Sequence, residues 1–149
     1  TKVSSSAKEE KDLKFVVAPQ YEGKTSDLIE LGKKLVKEHP EAGKQGEITL
    51  YYTGSTYTLN QQEYVVFMLV NKTTTNIDHD AEFKLNWSYD GQSIYQNRLV
   101  EYSISENGKL PSQSATLLLL PLTSEQSSIV EKISDGTKMS LSMSDLMMK

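Results

Sequence analysis

The eleven residues that begin at Ala81 read AEFKLNWSYDG, and this stretch decides the fold class. Apolar and aromatic residues alternate with polar ones from Ala81 to Tyr89, which is the period of a β-strand with one buried face and one wet face. Asp90-Gly91 follows at once, and this dipeptide is typical of two-residue turns because both residues tolerate positive φ. The pattern therefore predicts a β-hairpin into residues 92–95.

Further strands are predicted on both sides of this hairpin by the same period of two. The segment 63–70, EYVVFMLV, is apolar on both faces and indicates a central strand. Gly54-Ser55 predicts a second hairpin turn, between strands 48–53 and 56–59. The last strand, 137–143, should direct Met139, Leu141 and Met143 inward. The remaining predicted strands are residues 13–17, 100–104 and 116–122.

One helix is predicted near the N-terminus, over residues 26–38. Leu28, Leu31 and Leu35 recur at intervals of three and four, which forms one apolar stripe. Thr25 or Ser26 is the expected N-cap, and Pro40 follows the expected end. Because crossover helices between the strands are missing, we expect a mainly β, antiparallel β-sandwich with this single additional helix.

The polar segment that precedes the first strand predicts a flexible tether over residues 1–11. It reads TKVSSSAKEEK and offers almost nothing apolar to offset the entropy of ordering the backbone. Residues 12–149 are then predicted to form a single β-sandwich domain. The longest aliphatic run, residues 117–120, is far shorter than the roughly 20 residues that span a bilayer.

The composition argues against nucleic-acid binding and against thiol chemistry. The 149 residues carry a net charge of −4, and only Arg98 among the 16 basic residues is an arginine. Nucleic acid is an unfavourable partner, because its affinity for proteins comes mainly from clustered basic residues. The absence of Cys removes thiol nucleophiles and thiolate metal sites.

The chain contains two histidines, His39 and His79, and neither lies beside a nucleophile motif. His79 lies between Asp78 and Asp80, but adjacent side chains rarely converge on one ion, so a solvated turn is the interpretation we favour. We therefore expect no catalytic residues, no metal site and no cofactor, and a protein that is not an enzyme.

The eight tyrosines are the feature of the composition that most suggests a binding surface. Tyr89 and Tyr102 alternate in step with apolar residues, which is typical of a core. Tyr51 and Tyr57 lie on the polar phase of their strands. They are the candidate binding residues, because tyrosine offers an amphipathic ring for contact with a glycan or a protein.

A family resemblance covers roughly residues 63–143. The segment 66–71, VFMLVN, followed by Lys72-Thr73-Thr74, Ile77, Phe83-Lys84-Leu85 and Asp90-Gly91, resembles the strand-loop-strand core of immunoglobulin-like domains in Gram-positive bacterial lipoproteins. Residues 108–112, GKLPS, are similar to the Pro-containing loop that precedes a later strand in such domains. The helix at 26–38 departs from a minimal immunoglobulin-like sandwich, and the resemblance brings no catalytic residues with it.

The resemblance implies a non-catalytic, extracytoplasmic module of a cell-envelope lipoprotein with a structural or protein-binding role. The expected partner is a protein or another envelope component, and a lipid on a Cys near or before Thr1 would provide the contact with the membrane. The alternative is a small-ligand or carbohydrate-binding domain that uses Tyr51 and Tyr57.

Overall fold

A computed structural model describes residues 13–17, 26–39 and 41–148. The predicted tether and the residues Pro19, Thr25 and Pro40 lie outside these ranges. The chain is mainly β, as predicted, and its strands form two sheets. Its contacts group it into two compact units. The first contains the described residues up to 53 with 67–79 and 103–118, and the second contains 54–66, 80–102 and 119–148.

Seven strands and three helices lie in the described ranges. The strands are β1 (Lys14–Phe15), β2 (Ile48–Leu59), β3 (Gln62–Asn71), β4 (Ala81–Tyr89), β5 (Gln92–Tyr102), β6 (Ser114–Pro121) and β7 (Met139–Met148). The helices are α1 (Ser26–Glu38), α2 (Ile104–Asn107) and α3 (Ser124–Glu131), and a 3₁₀ turn covers Gly136–Lys138. One sheet has the order β1-β6-β3-β2 and the other β5-β4-β7. Strand β1 is parallel to β6.

Helix α1 confirms the predicted helix and packs against β1 in the first unit. Leu28 and Leu35 are buried on its apolar stripe. The ring of Phe15 covers Gly32, and a Cβ at Gly32 would collide with that ring. This close approach explains why a glycine is found in the helix interior, where it costs about 1 kcal/mol relative to Ala. The strand predicted at 13–17 is shorter than expected, because its pairing with β6 covers Lys14 and Phe15.

Asn71 anchors the loop that follows β3 in the first unit. The Asn71 side chain is completely buried and donates to the carbonyl oxygens of Thr75 (2.9 Å) and Leu110 (3.0 Å). Its Oδ1 accepts from the backbone N–H (3.0 Å) and the hydroxyl (2.6 Å) of Thr73. All these bonds satisfy a buried amide that would otherwise be costly. The loop that leads to His79 is therefore fixed at its base.

The hairpin predicted at Gly54-Ser55 is wrong. Strand β2 continues through this dipeptide to Leu59, and the chain turns at Asn60-Gln61 before β3 begins. Both turn residues have positive φ, 51° and 67°, which is the conformation of a type I′ turn. The sequence signal was weak because Asn60 is followed by Gln61 rather than by Gly. The predicted central strand at 63–70 is confirmed, since β3 lies between β6 and β2 and is buried from Val65 to Asn71.

The hairpin of β4 and β5 confirms the prediction made at Asp90-Gly91. These two residues have φ values of 50° and 81°, and the strands pair in antiparallel register. Strand β4 is the centre of the second unit, because β7 pairs with its other side, also in antiparallel register. The alternate β4 side chains Phe83, Leu85 and Trp87 are at most 1% exposed.

Helix α3 was not predicted, so the expectation of a single helix is wrong. Thr123 caps it in a capping box, with its side chain and that of Gln126 each bonded to the other's backbone N–H. Gln126 Nε2 also donates to the carbonyl oxygen of Ile94 on β5 (2.7 Å). The predicted strand at 100–104 ends at Tyr102 because α2 begins at Ile104. In the ranges that the structure covers, no helix has the length and hydropathy to cross a membrane.

Candidate binding surfaces

Tyr51 lies beside a histidine in the first unit, and that histidine contacts a carboxylate. It is on β2, which is an edge of its sheet, and its side chain is half-buried. The rings of His39 and Tyr51 have centroids 6.4 Å apart and planes tilted by 39°. His39 Nδ1 is 3.0 Å from Glu41 Oε2. We call Tyr51, His39 and Glu41 the Tyr51 surface.

The carboxylate of the Tyr51 surface is ionised and orients the imidazole. A hydrogen bond from its own backbone N–H, and then the bond from His39, lower the pKa of Glu41. An ionised Glu41 accepts a hydrogen bond from Nδ1–H of His39, which orients the imidazole ring. The side chains of His39 and Glu41 are 43% and 71% exposed, so solvent or a partner can reach both.

The chemistry of the Tyr51 surface suits recognition. It combines the aromatic ring of Tyr51, the imidazole of His39 and the negative charge of Glu41. Among the residues that the structure describes, no hydroxyl is hydrogen-bonded to His39.

Tyr57, the other candidate, is in the second unit. It is half-buried on the same strand, between the exposed residues Thr56 and Thr58. The two candidate tyrosines belong to different units, so each is a separate candidate.

Three other tyrosines are core residues. The phase of Tyr89 and Tyr102 predicted this, whereas Tyr95 shares its phase with Ser93 and Asn97. Tyr89, Tyr95 and Tyr102 are at most 7% exposed. The Tyr95 hydroxyl donates to the carbonyl oxygen of Pro121 (2.6 Å). Burial raises the pKa of Tyr95 to about 12, against the opposing effect of the nearby positive charge of Arg98.

Arg98 stacks on Tyr95, an arrangement that the sequence did not reveal. Its Cζ lies 5.0 Å from the Tyr95 ring centroid, and the Tyr95 ring stacks on Trp87 at 6.1 Å. Arg98 Nε is buried, and no described residue offers it a hydrogen-bond partner. Residues three apart on a regular strand point to opposite faces, and a register shift between Leu85 and Trp87 brings Arg98 back over Tyr95. No pattern of spacing in the sequence marks this shift.

His79 lies in an exposed turn, which is the interpretation favoured from the sequence. Its Nδ1 is 2.7 Å from Asp78 Oδ1, and the two side chains are 70% and 54% exposed. Within the described ranges, no three His, Asp or Glu side chains form a group that could hold a metal ion. An exposed pair of this kind has little influence on stability.

The C-terminal strand presents an apolar edge that was also missed. Met139, Leu141 and Met143 have the inward phase predicted for them, but they are half-buried rather than buried. Beyond them, Met147 and Met148 are 57% and 50% exposed. The phase of these side chains was readable from the sequence, but the position of β7 at the sheet edge was not.

No protein-family model, no curated protein and no solved structure matches the chain.

Proposed function

We propose that the chain is a non-catalytic module that binds a protein partner at the bacterial cell envelope through the Tyr51 surface. The supporting observation is the half-exposed Tyr51 ring beside an imidazole that Glu41 orients. Tyrosine is enriched at binding hot spots, because its ring contributes a large contact area and its hydroxyl a hydrogen bond. A positioned imidazole adds a directional contact at the same place.

The proposal includes an immunoglobulin-like arrangement of the sheets and a lipid-anchored location outside the cell. The mainly β fold and the residues of the resemblance within 63–143 support the first part. The Ser, Lys and Glu residues of 1–11 support the second, since such a composition is typical of a spacer.

The location is tested by expressing the whole gene in a Gram-positive host that is fed labelled palmitate. We expect the label in the product and the product in the membrane fraction. Globomycin, which blocks processing of lipoprotein signal peptides, should cause an unprocessed precursor to accumulate. An unlabelled product in the cytoplasm would contradict the location.

Binding is tested by titrating fluorescently labelled chain onto washed envelope fragments of the same host. Tyr51→Ala should weaken saturable binding by about 10- to 30-fold, which corresponds to roughly 1.4–2 kcal/mol for a hot-spot tyrosine. Thr58→Ala, at an exposed residue of the same strand, is the control and should bind like the wild type. Protease treatment of the fragments should remove the binding sites.

Carbohydrate binding is the second candidate, because an exposed aromatic ring beside hydrogen-bonding groups also suits a sugar. The same assay separates the two functions. Sites that survive protease and disappear after periodate oxidation would assign the Tyr51 surface to a glycan. Binding by Tyr51→Ala that equals wild-type binding would exclude this surface from both functions.

A further inference from the structure

The centre of β7 is a palindrome. Residues 139–143 read MSLSM, the same in both directions, with Leu141 in the middle. Strand β7 is at the end of the order β5-β4-β7, and no other strand of the described ranges pairs with its outer side. An edge strand can add a further strand through its unpaired backbone groups.

The register with β4 shows which side of the sheet each β7 residue occupies. Alternate β7 residues lie opposite the buried residues of β4, and the serines between them lie opposite its polar residues. The pairs are Met139 with Tyr89, Ser140 with Ser88, Leu141 with Trp87, Ser142 with Asn86 and Met143 with Leu85. One face of this segment is therefore apolar and the other carries hydroxyl groups.

The apolar side of β7 is incompletely covered. Trp87 and Leu85 on the central strand are 1% and 0% exposed, whereas Leu141 and Met143 beside them are half-buried. Covering these side chains would remove apolar surface from water at roughly 25 cal/mol per Å². Methionine adapts its shape readily to a partner surface.

We propose that two copies of the chain pair antiparallel through β7 about a two-fold axis at Leu141. This register places Leu141 opposite Leu141 of the second copy and Met139 opposite Met143 of the second copy. Ser140 then lies opposite Ser142 of the second copy, on the polar face. Like side chains meet at every position because the segment is palindromic, as a self-complementary interface requires.

The charges on and beside β7 favour this pairing. Residues 139–144 carry no charge, so the register places no like charges opposite each other. At each end, Asp145 and Lys138 of the second copy occupy neighbouring positions with opposite charges. The pair closes on itself, because both β7 edges are used and the result is one six-stranded sheet.

The proposal is tested with the complete chain by sedimentation equilibrium between about 1 and 500 μM. We expect a concentration-dependent mass that approaches twice the 16.7 kDa of one chain. Leu141→Lys would place two ammonium groups on the two-fold axis and should raise the dissociation constant at least about 100-fold. Leu99→Lys, at an exposed leucine of β5, is the matched control and should dimerise like the wild type.

Cysteine cross-linking tests the register and does not depend on the lysine variant being folded. The chain has no Cys, so each variant introduces a single thiol. Leu141→Cys should form a disulfide dimer under mild oxidation, because directly opposed residues of antiparallel strands have a Cα separation of about 4.5–5.5 Å. Ser140→Cys should cross-link efficiently with Ser142→Cys in a mixture, but not with itself.

Three results would overturn the proposal. The first is the mass of a single chain at every concentration. The second is a dimer that Leu141→Lys leaves unchanged, since such a dimer would use another surface. The third is a mixture of Ser140→Cys and Ser142→Cys that cross-links no better than either variant alone.

Discussion

The two edges of the three-stranded sheet differ in how they are protected. Strands β5 and β7 pair with opposite sides of β4, and Trp87 lies between Tyr95 on one side and Leu141 on the other. Tyr95 is 4% exposed, whereas Leu141 is half-buried. The two strands therefore share a central strand and differ in what covers them.

The β5 edge is interrupted and anchored. Asn97 has a φ of 49° at the irregularity in the strand, and its backbone N–H donates to Asn86 Oδ1 (2.9 Å). Arg98 covers the ring of Tyr95, and the Tyr95 hydroxyl is bonded to Pro121. Bulges and charged residues are common means of preventing edge-to-edge pairing.

The β7 edge is regular and uncharged over residues 139–144, the segment proposed to pair with a second copy. The irregularity of β7 follows this segment, at Asp145, which has a φ of 54°. Asp145 Oδ2 is 3.6 Å from Lys84 Nζ. The six residues before Asp145 pair with β4 without a register shift. The difference indicates that β5 ends the sheet and that β7 is suited to extend it.

The largest expected effect is a difference in unfolding free energy between substitutions at Tyr95 and Leu141, the two neighbours of Trp87. Tyr95→Ala should lower the free energy of unfolding by about 3–5 kcal/mol, because it removes a buried ring, its stacking and its hydrogen bond. Leu141→Ala should cost about 1 kcal/mol, because the leucine is half-buried and the site is open to water. Urea unfolding at low micromolar concentration, where a β7 dimer contributes little, provides both values. Equal costs would show that the two edges are equally buried.

An intermediate effect is expected at alkaline pH. Burial raises the pKa of Tyr95 from 10.0 to about 12, so the folded chain holds the phenol proton more tightly than the unfolded chain does. The resulting stabilisation is fully present below pH 10 and is lost as the pH rises towards 12. Between pH 9 and pH 11.5, wild-type stability should fall by about 2 kcal/mol more than that of Tyr95→Phe.

The control for this titration is on the other edge. Leu141→Ala removes no ionisable group, so its stability should depend on pH in the same way as that of the wild type. If Tyr95→Phe also followed the wild-type curve, the Tyr95 phenol would titrate alike in the folded and unfolded chains. The proposed anchoring of β5 through a buried hydroxyl would then be wrong.

Local patterns were sufficient to predict much of this fold. Alternation and the Asp90-Gly91 turn located the β4–β5 hairpin, and the leucine spacing located α1. The turn at Asn60-Gln61 was missed because a positive φ at Gln61 depends on the pairing of the flanking strands. Helix α3 was missed because it is short and Ser-rich and depends on its capping box and the bond from Gln126 to β5.

The candidate surfaces were less predictable than the strands. Phase along the strand separated Tyr51 from the buried Tyr89 and Tyr102, but nothing in the sequence placed His39 against Tyr51. Likewise, the alternation of β7 was visible, whereas its edge position follows from which strands pair. Pairing between distant strands depends on the whole chain, so it cannot be predicted from the sequence of a single segment.

The smallest expected effect concerns the side chain that bridges the β5 irregularity. Asn86→Ala should cost about 1 kcal/mol, because the Asn97 N–H loses its acceptor on the exposed face. Amide hydrogen exchange at Asn97 and Arg98 should accelerate about fivefold, as expected for a local opening made easier by that amount. Ser88→Ala, two residues away on the same face of β4, should leave these rates unchanged. Asn86 also lies opposite Ser142 on β7. Faster amide exchange along β7 in Asn86→Ala would therefore show that this side chain stabilises both edge strands. The stabilities of the two edges would then not be independent.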